Sequence, residues 1–375
     1  MAIQDTHFST TSNQTVKLWS DRIATDLADD RGELGRLISS GVLKRVDELN
    51  KTSGDNVRYD LLASLKSGGF RGSTNIDGQS TDMEYFQDSL SIDMLRCAVN
   101  YPLEGSIDQQ RILHYLPEDA YVRCREWWID RFVTSAMFQL GGYYPTTITQ
   151  DTVTYTGDDR LKIVGLNAAT APTAVTATRH IYAGSNTTDQ GVAADTTATM
   201  TLALIQEAEV AAASARPYVL PLTNGKTKFR CYVTTKGFNQ LINDTSAPNQ
   251  ARDIILAQIT SGKDSNIIGD RFIWSQTEVI RMNGDHMPFG VNSSTGAAES
   301  NCRRAVFVGR DAGCIAFGKG YSAGGEATPG FSVTYGAVQN IGLHQEVSFN
   351  CIYGVKKTVY NSEDYGSIVI SHYES

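Results

Sequence analysis

Two stretches of alternating polarity lie in the first quarter of the chain. In "GDNVRYDLLAS", Val57, Tyr59, Leu61 and Ala63 alternate with Arg58, Asp60 and Leu62, which is mostly the period of a half-buried strand. A second run follows at Leu90, Ser91, Ile92, Asp93 and Met94. The segment between them, "KSGGFRGSTNIDGQS", is glycine-rich and polar and has no hydrophobic period. Tight hairpins close with about two to five residues. This pair of strands is therefore expected to project from the body as a long hairpin engaged with something outside its own domain. The period then changes. Cys124, Trp128, Phe132, Ala136 and Leu140 recur every four residues, flanked by Tyr121, Val133 and Met137. Pro117, Glu118 and Asp119 suit a first helical turn, and Gly141-Gly142 stops the run. The pattern predicts a helix of about 24 residues, a rod of roughly 36 Å. Trp127 and Trp128 are expected to pack in the core. Ser106 to Gln109 reads as a capping box that opens a shorter helix before it.

Elsewhere the patterns are shorter. Residues 14–50 carry helical character at the end of a polar arm. Residues 146–200 contain 15 threonines among 55 positions and read as a surface insertion of short strands and loops outside the main core. A helix is expected around "TMTLALIQEAEVAAASA", ending before Arg216-Pro217, and another near "QARDIILAQIT". Strands are expected near "KFRCYVT", "RFIWSQ" and "RAVFVG". Leu343, Val347, Phe349, Cys351 and Tyr353 mark one long strand with a wet face, and "SIVISHY" follows a turn at residues 361–364. Strands and helices mix without a βαβ rhythm, so the fold class is α+β.

Composition narrows the function. The chain has 375 residues, 41% apolar and 20% charged, with a net charge of −8 and a pI near 5.3. That supports a sizeable core and argues against tight general binding to a phosphate backbone, although packaged DNA can lie beside an acidic wall. The N-terminal sequence does not read as a secretory signal, and no run approaches the roughly 20 apolar residues of a membrane helix. The six cysteines, Cys97, Cys124, Cys231, Cys302, Cys314 and Cys351, are scattered without a C-x-x-C and read as small buried hydrophobes of a reducing cytoplasm. The six histidines are also dispersed, so neither a metal nor a cofactor is expected. Asp285 beside His286 reads as a loop turn.

One stretch, "GCIAFGKGYSAGG" at 313–325, resembles two catalytic loops at once. Gly313, Gly318 and Lys319 fit G-x-x-x-x-G-K, and the residues around Ser322 fit G-x-S-x-G. Both fail on context. Ala312, Ile315 and Ala316 suit a short buried helix after a strand at 305–308, which would put Gly318 at a helix C-terminus. Gly320 also replaces the hydroxyl that a phosphate loop needs for magnesium. "GGEATPG" after Ser322 cannot readily start the helix that a nucleophile elbow requires. No enzyme is expected.

The ordered series of elements carries a resemblance. "GDNVRYDLLASLKSGGFRG" with "DGQSTDMEYFQDSLSIDMLR", then "LPEDAYVRCREWWIDRF", "RRAVFVGRDAGCIAFGKG" and "IYGVKKTVYNSEDYGSIVISHY" resemble tailed-bacteriophage major capsid proteins of the HK97-like fold. The resemblance points in particular to the coliphage N4-type family, over roughly 20–140 and 200–375, and is weak over 146–200. It implies an N-terminal arm (1–50), an extended loop or E-loop (51–100) and a spine-helix region of a peripheral domain (101–145). Beyond the insertion (146–200), it implies an axial domain (201–330) and C-terminal peripheral strands (331–375). Such a subunit assembles as pentamers and hexamers into an icosahedral head around double-stranded DNA, without sequence-specific binding or a membrane. Scaffolding, portal and decoration proteins are the further partners it would meet. Arg58, Arg71 and Asp77 are candidate inter-subunit ion-pair residues, and Lys66 sits where some capsids place a cross-linking lysine. A tube, fibre or surface-layer subunit remains the alternative.

Overall fold

The computed structural model describes residues 33–46, 54–62, 69–72, 77, 85–102, 110–111, 116–150, 152–165, 172–222, 227–244, 271–319, 331–335 and 344–375. The chain enters through helix α1 (Glu33–Ser39) and strand β1 (Leu43–Val46), then forms the hairpin β2 (Asn56–Leu62) and β3 (Tyr85–Ser91). Strand β4 (Asp93–Pro102) leads to the spine helix α2 (Leu116–Leu140), 25 residues long. The next segment holds β5 (Thr147–Gln150), β6 (Val153–Thr156), α3 (Leu161–Val164), β7 (His180–Tyr182) and α4 (Asp189–Ala194). Helix α5 (Leu202–Ser214), β8 (Phe229–Thr234), α6 (Thr235–Asn243), β9 (Arg271–Trp274), β10 (Thr277–Met282) and β11 (Phe289–Val291) follow. The chain ends with β12 (Ala298–Val308), β13 (Gly313–Phe317), β14 (Phe331–Tyr335), β15 (His344–Lys357), the two-residue strands β16 (Val359–Tyr360) and β17 (Glu363–Asp364), and β18 (Ser367–Tyr373).

These strands make two main sheets among the described residues. One runs β1-β13-β15-β14, with β4 along the other edge of β15; the second runs β7-β18-β12-β8-β10-β9, with β11 beside β12. Two short crossings join them, at 309–312 and at 358–366. The crossings hydrogen-bond to one another: Gly309 N–H donates to Gly366 carbonyl at 2.9 Å, and Thr358 N–H to Ala312 carbonyl at 3.0 Å. A Cβ on Gly366 would stand 2.7 Å from Ala312 Cα, so only glycine permits that approach. The predicted turn at 361–364 has Asn361 and Ser362 at φ 49° and 64°, the geometry that lets β16 and β17 pair as a two-residue hairpin.

The spine helix changes character along its length. Its first half buries one stripe, Ala120, Cys124 and Trp128, and leaves Arg123 and Glu126 in solvent as an exposed ion pair. From Arg131 to Leu140 every residue is buried. On one side Trp128 and Phe132 meet Tyr353 of β15, the Phe132–Tyr353 ring centroids 4.7 Å apart and edge-on. On another side the helix offers polar groups to the threonine-rich segment: Ser135 Oγ donates to the Ile163 carbonyl at 2.9 Å, and Gln139 Nε2 to that of Val164.

That contact corrects the reading of 146–200 as a surface insertion. Ile148, Leu161, Ile163 and Val164 belong to the core around the spine helix, and Ile181, Ala183, Val192, Ala198 and Met200 to the core of the second sheet. Threonine content measures polarity per residue, while here the few apolar positions carry the burial. A second correction concerns 313–317. These residues form strand β13, buried throughout, and not a short helix. The run Cys314-Ile315-Ala316-Phe317 is apolar on both faces, and so short a run does not distinguish a helix from a doubly covered strand. The capping box at 106–109 and the helix expected at 250–260 lie outside the described residues, as do residues 14–32.

Candidate functional site

Among the described residues no group of three or more His, Cys, Asp or Glu side chains is placed to hold a metal ion, and no helix is long and apolar enough to cross a membrane. The glycines of the phosphate-loop pattern have a packing role. A Cβ on Gly318 would stand 2.4 Å from Ile352 Cγ2, and one on Gly313 would stand 2.8 Å from Leu43 Cδ2. They let β13 sit closely between β15 and β1. Ser322 lies outside the described residues.

The chain does bring a serine, a histidine and an aspartate together, though not where the motif fell. Ser371 Oγ donates to Asp189 Oδ1 at 2.5 Å and lies 2.7 Å from His180 Nε2. The hydroxyl's proton is thus committed to Asp189, so His180 must donate from Nε2 and accept the Tyr182 hydroxyl proton at Nδ1, 2.9 Å away. Arg304 holds the other carboxylate oxygen from Nε and Nη2, at 3.1 and 2.6 Å, and its Nη1 donates to the carbonyls of Gly141 and Gly142 at the end of the spine helix. Burial pushes the His180 pKa down, and Arg304 adds to that; the hydrogen bond and charge of Asp189 oppose it. Burial would raise Asp189, but the His180 hydrogen bond and the Arg304 charge outweigh it and hold the carboxyl well below its usual range. Asp189, Ser371 and Arg304 are buried, so no substrate reaches the serine. The cluster is a structural clamp. It joins α4, β7, β12 and β18 to the C-terminus of the spine helix.

The hairpin is the other candidate. Its strands pair in register from Asn56↔Ser91 to Leu62↔Tyr85. Val57, Leu90 and Ile92 at its root pack with Val46, Cys314 and Ala316 in a small separate core. Asp88 accepts from Lys356 Nζ of β15 and from Val359 N–H at 3.3 Å. Lys356 Nζ also donates to the Ser89 carbonyl at 2.9 Å. Of the residues singled out from sequence, Arg58 is exposed on β2 opposite Ser89, and Arg71 and Asp77 are exposed in the connection. Lys66 lies outside the described residues. The root contacts Asp88 and Lys356 were not foreseen, because they lie 268 positions apart and only the sheet brings them together.

The overall fold is similar to that of solved phage capsid subunits. The fold is similar to the capsid of Ralstonia phage GP4, at 21% identity over 90% of this chain and 89% of that one, with a TM-score of 0.68. It is also similar to the capsid asymmetric unit of cyanophage Pam1, at 16% identity over 88% of each chain and a TM-score of 0.60. The acid-stable capsid of Helicobacter pylori bacteriophage KHP30 matches at 12% identity over 89% and 88%, with a TM-score of 0.57. No curated protein matches the sequence. The fold is therefore the one that these phage capsid subunits have. The profile of the phage capsid protein family matches residues 7–375, and the chain belongs to that family. It is a phage capsid protein, a structural component of the virion.

Proposed function

We propose that the chain tiles its shell as pentamers and hexamers of a tailed-phage head, with the β2–β3 hairpin laid over a neighbouring copy. On this reading the β2–β3 hairpin is the extended loop of an HK97-like subunit of the N4 type. The sheet around β15 and the spine helix form the peripheral plate, and the seven-stranded sheet turns toward the symmetry axes. Arg58, Lys66, Arg71 and Asp77 contribute contacts across subunit boundaries. The shell encloses DNA without reading its sequence, which suits a net charge of −8. Assembly takes place in the bacterial cytoplasm, with scaffolding, portal or decoration proteins as further partners.

The observation that carries this reading is the contrast between the hairpin's root and residues 69–72 and 77 of its connection, which are exposed. The root is packed and ion-paired. In the connection, Gly69 and Gly72 have φ of 73° and 66°, and a Cβ on either would meet nothing within 4 Å. Phe70 between them is 42% exposed. A part-exposed aromatic in such a connection offers a contact to a partner, and many such weak contacts on a closed shell act multivalently. Deleting residues 66–80 is expected to leave a folded, soluble subunit that forms no shells in negative-stain micrographs. Shells of normal size from that deletion would overturn the role given to the hairpin.

A further inference from the structure

The end of β15 and the short strand β17 are brought together by the crossing that follows β15. Val359 pairs with Asp364 in register, and Tyr365 N–H donates to the Thr358 carbonyl at 3.1 Å, so backbone holds the two ends of this turn. Lys357 Nζ stands 2.7 Å from Asp364 Oδ1, and both side chains are closed to solvent. The contact is close, yet Asp364 Oδ1 has no hydrogen-bond partner. Lys357 Nζ donates instead to the Ala174 carbonyl at 3.4 Å, and Asp364 Oδ2 accepts from Thr176 N–H at 3.3 Å. An amine thus touches a carboxyl in a dry place, without the alignment that a hydrogen-bonded ion pair takes.

We propose that Lys357 and Asp364 condense to an amide within the folded chain, releasing one water and closing residues 357–364 into a covalent ring. Burial pushes the Lys357 amine down and the Asp364 carboxyl up, against the attraction between the two, and so favours the uncharged amine and acid that can condense. The Thr176 N–H marks Oδ2 as the carbonyl oxygen, which leaves the acid proton on Oδ1. The Nζ electron pair attacks Cγ, one bond beyond Oδ1, and the carbonyl pair moves onto Oδ2. Thr176 N–H and the nearby charge of Arg179 stabilise that oxygen, Arg179 being held by the carbonyls of Ala211 and Ala215 at 3.4 and 3.3 Å. A proton then passes from Nζ to Oδ1, the Cγ–Oδ1 bond breaks with its pair leaving on water, and the carbonyl re-forms at Oδ2. One amine and one acid become one amide and one water, with no co-reactant. The fold supplies the proximity, and enclosure keeps bulk water from the reverse hydrolysis. Two other lysine–aspartate contacts serve as internal controls. Lys356 is hydrogen-bonded to Asp88 and part-exposed, and the Lys162–Asp159 pair lies in solvent, so neither should condense. The bond lies inside one chain, so it stands apart from how copies pack in the shell.

The test is the intact mass of the full-length chain, incubated after folding and then denatured. The expected mass is one water below that of the sequence. Trypsin should cut after Lys356 and not after Lys357, and fragmentation of the C-terminal peptide should show no breaks between Lys357 and Asp364. A chain kept in denaturant should retain its full mass. Lys357→Arg should retain it too, which separates the amide from water lost by an aspartate closing on its own backbone. Full mass in the folded wild type, a water loss that maps elsewhere, or a loss that persists in Lys357→Arg would overturn the proposal. The wild-type mass and peptide map decide the matter even if Lys357→Arg fails to fold.

Discussion

Lys356 and Lys357 are neighbours on β15, and the strand's alternation sends them to opposite sides. Lys356 keeps 19% of its side chain exposed and holds Asp88 at the hairpin root. Lys357 has none of its side chain exposed and pairs with Asp364 at 2.7 Å, that carboxylate being 1% exposed. Asp364 also accepts from Thr176 N–H at 3.3 Å. Burial pushes the Lys357 amine down and the Asp364 carboxyl up, because removal from water penalises charge on either partner. One lysine thus secures a hairpin over a small core, and the other locks the crossing between two sheets to the threonine-rich segment. The lesson is a division of labour. The body is completed by its own residues, with charges sealed inside. The hairpin's root is tied to that body through Asp88 and Lys356, and residues 69–72 and 77 of its connection are exposed.

Three measurements can break or sharpen this contrast. Lys357→Met, which strands Asp364 in the core, is expected to cost about 3–5 kcal/mol in denaturant unfolding, and adding Asp364→Leu should recover much of that. A loss no larger than that of a surface lysine would mean the pair is not sealed. Lys356→Met should cost about 2 kcal/mol and act locally, since Asp88 keeps the Val359 N–H. Its mark would be faster amide exchange in 56–62 and 85–91 while the spine helix stays protected. The smallest effect concerns His180. A histidine whose folded pKa lies below its unfolded value takes up protons more readily when unfolded. Its share of stability is therefore complete above pH 6.5 and declines as pH falls through the lower folded value. The slope from this group is at most about 1.4 kcal/mol per pH unit. Comparing wild type with His180→Gln across that range should show the slope flattened in the variant; equal slopes would remove His180 from the clamp's acid response.

Legibility followed periodicity. The hairpin strands, the spine helix and the long strand β15 were readable because each presents one face to a core over many residues. Strand β13 was misread because both of its faces are covered, which erases alternation. The threonine-rich segment was misread because its anchors, such as Arg179 and Asp189, are polar residues that a composition argument assigns to the surface. Of the candidate site, the glycine-laced connection was visible as a segment with no core of its own. Its root was not, since Asp88 finds Lys356 only after β15 has paired with β4 and β13.

What the sequence alone determined is which segments are amphipathic and at what period, because the side-chain repeat of a helix or strand is a local property of the backbone. The tertiary structure decided which buried charges meet: Arg304 with Asp189, and Lys357 with Asp364. The first pair joins a helix and a strand 115 positions apart, and the second forms where the crossing at 358–366 turns back on the end of β15. A charge is tolerated inside only where its partner arrives at hydrogen-bonding distance, and no local pattern records that arrival.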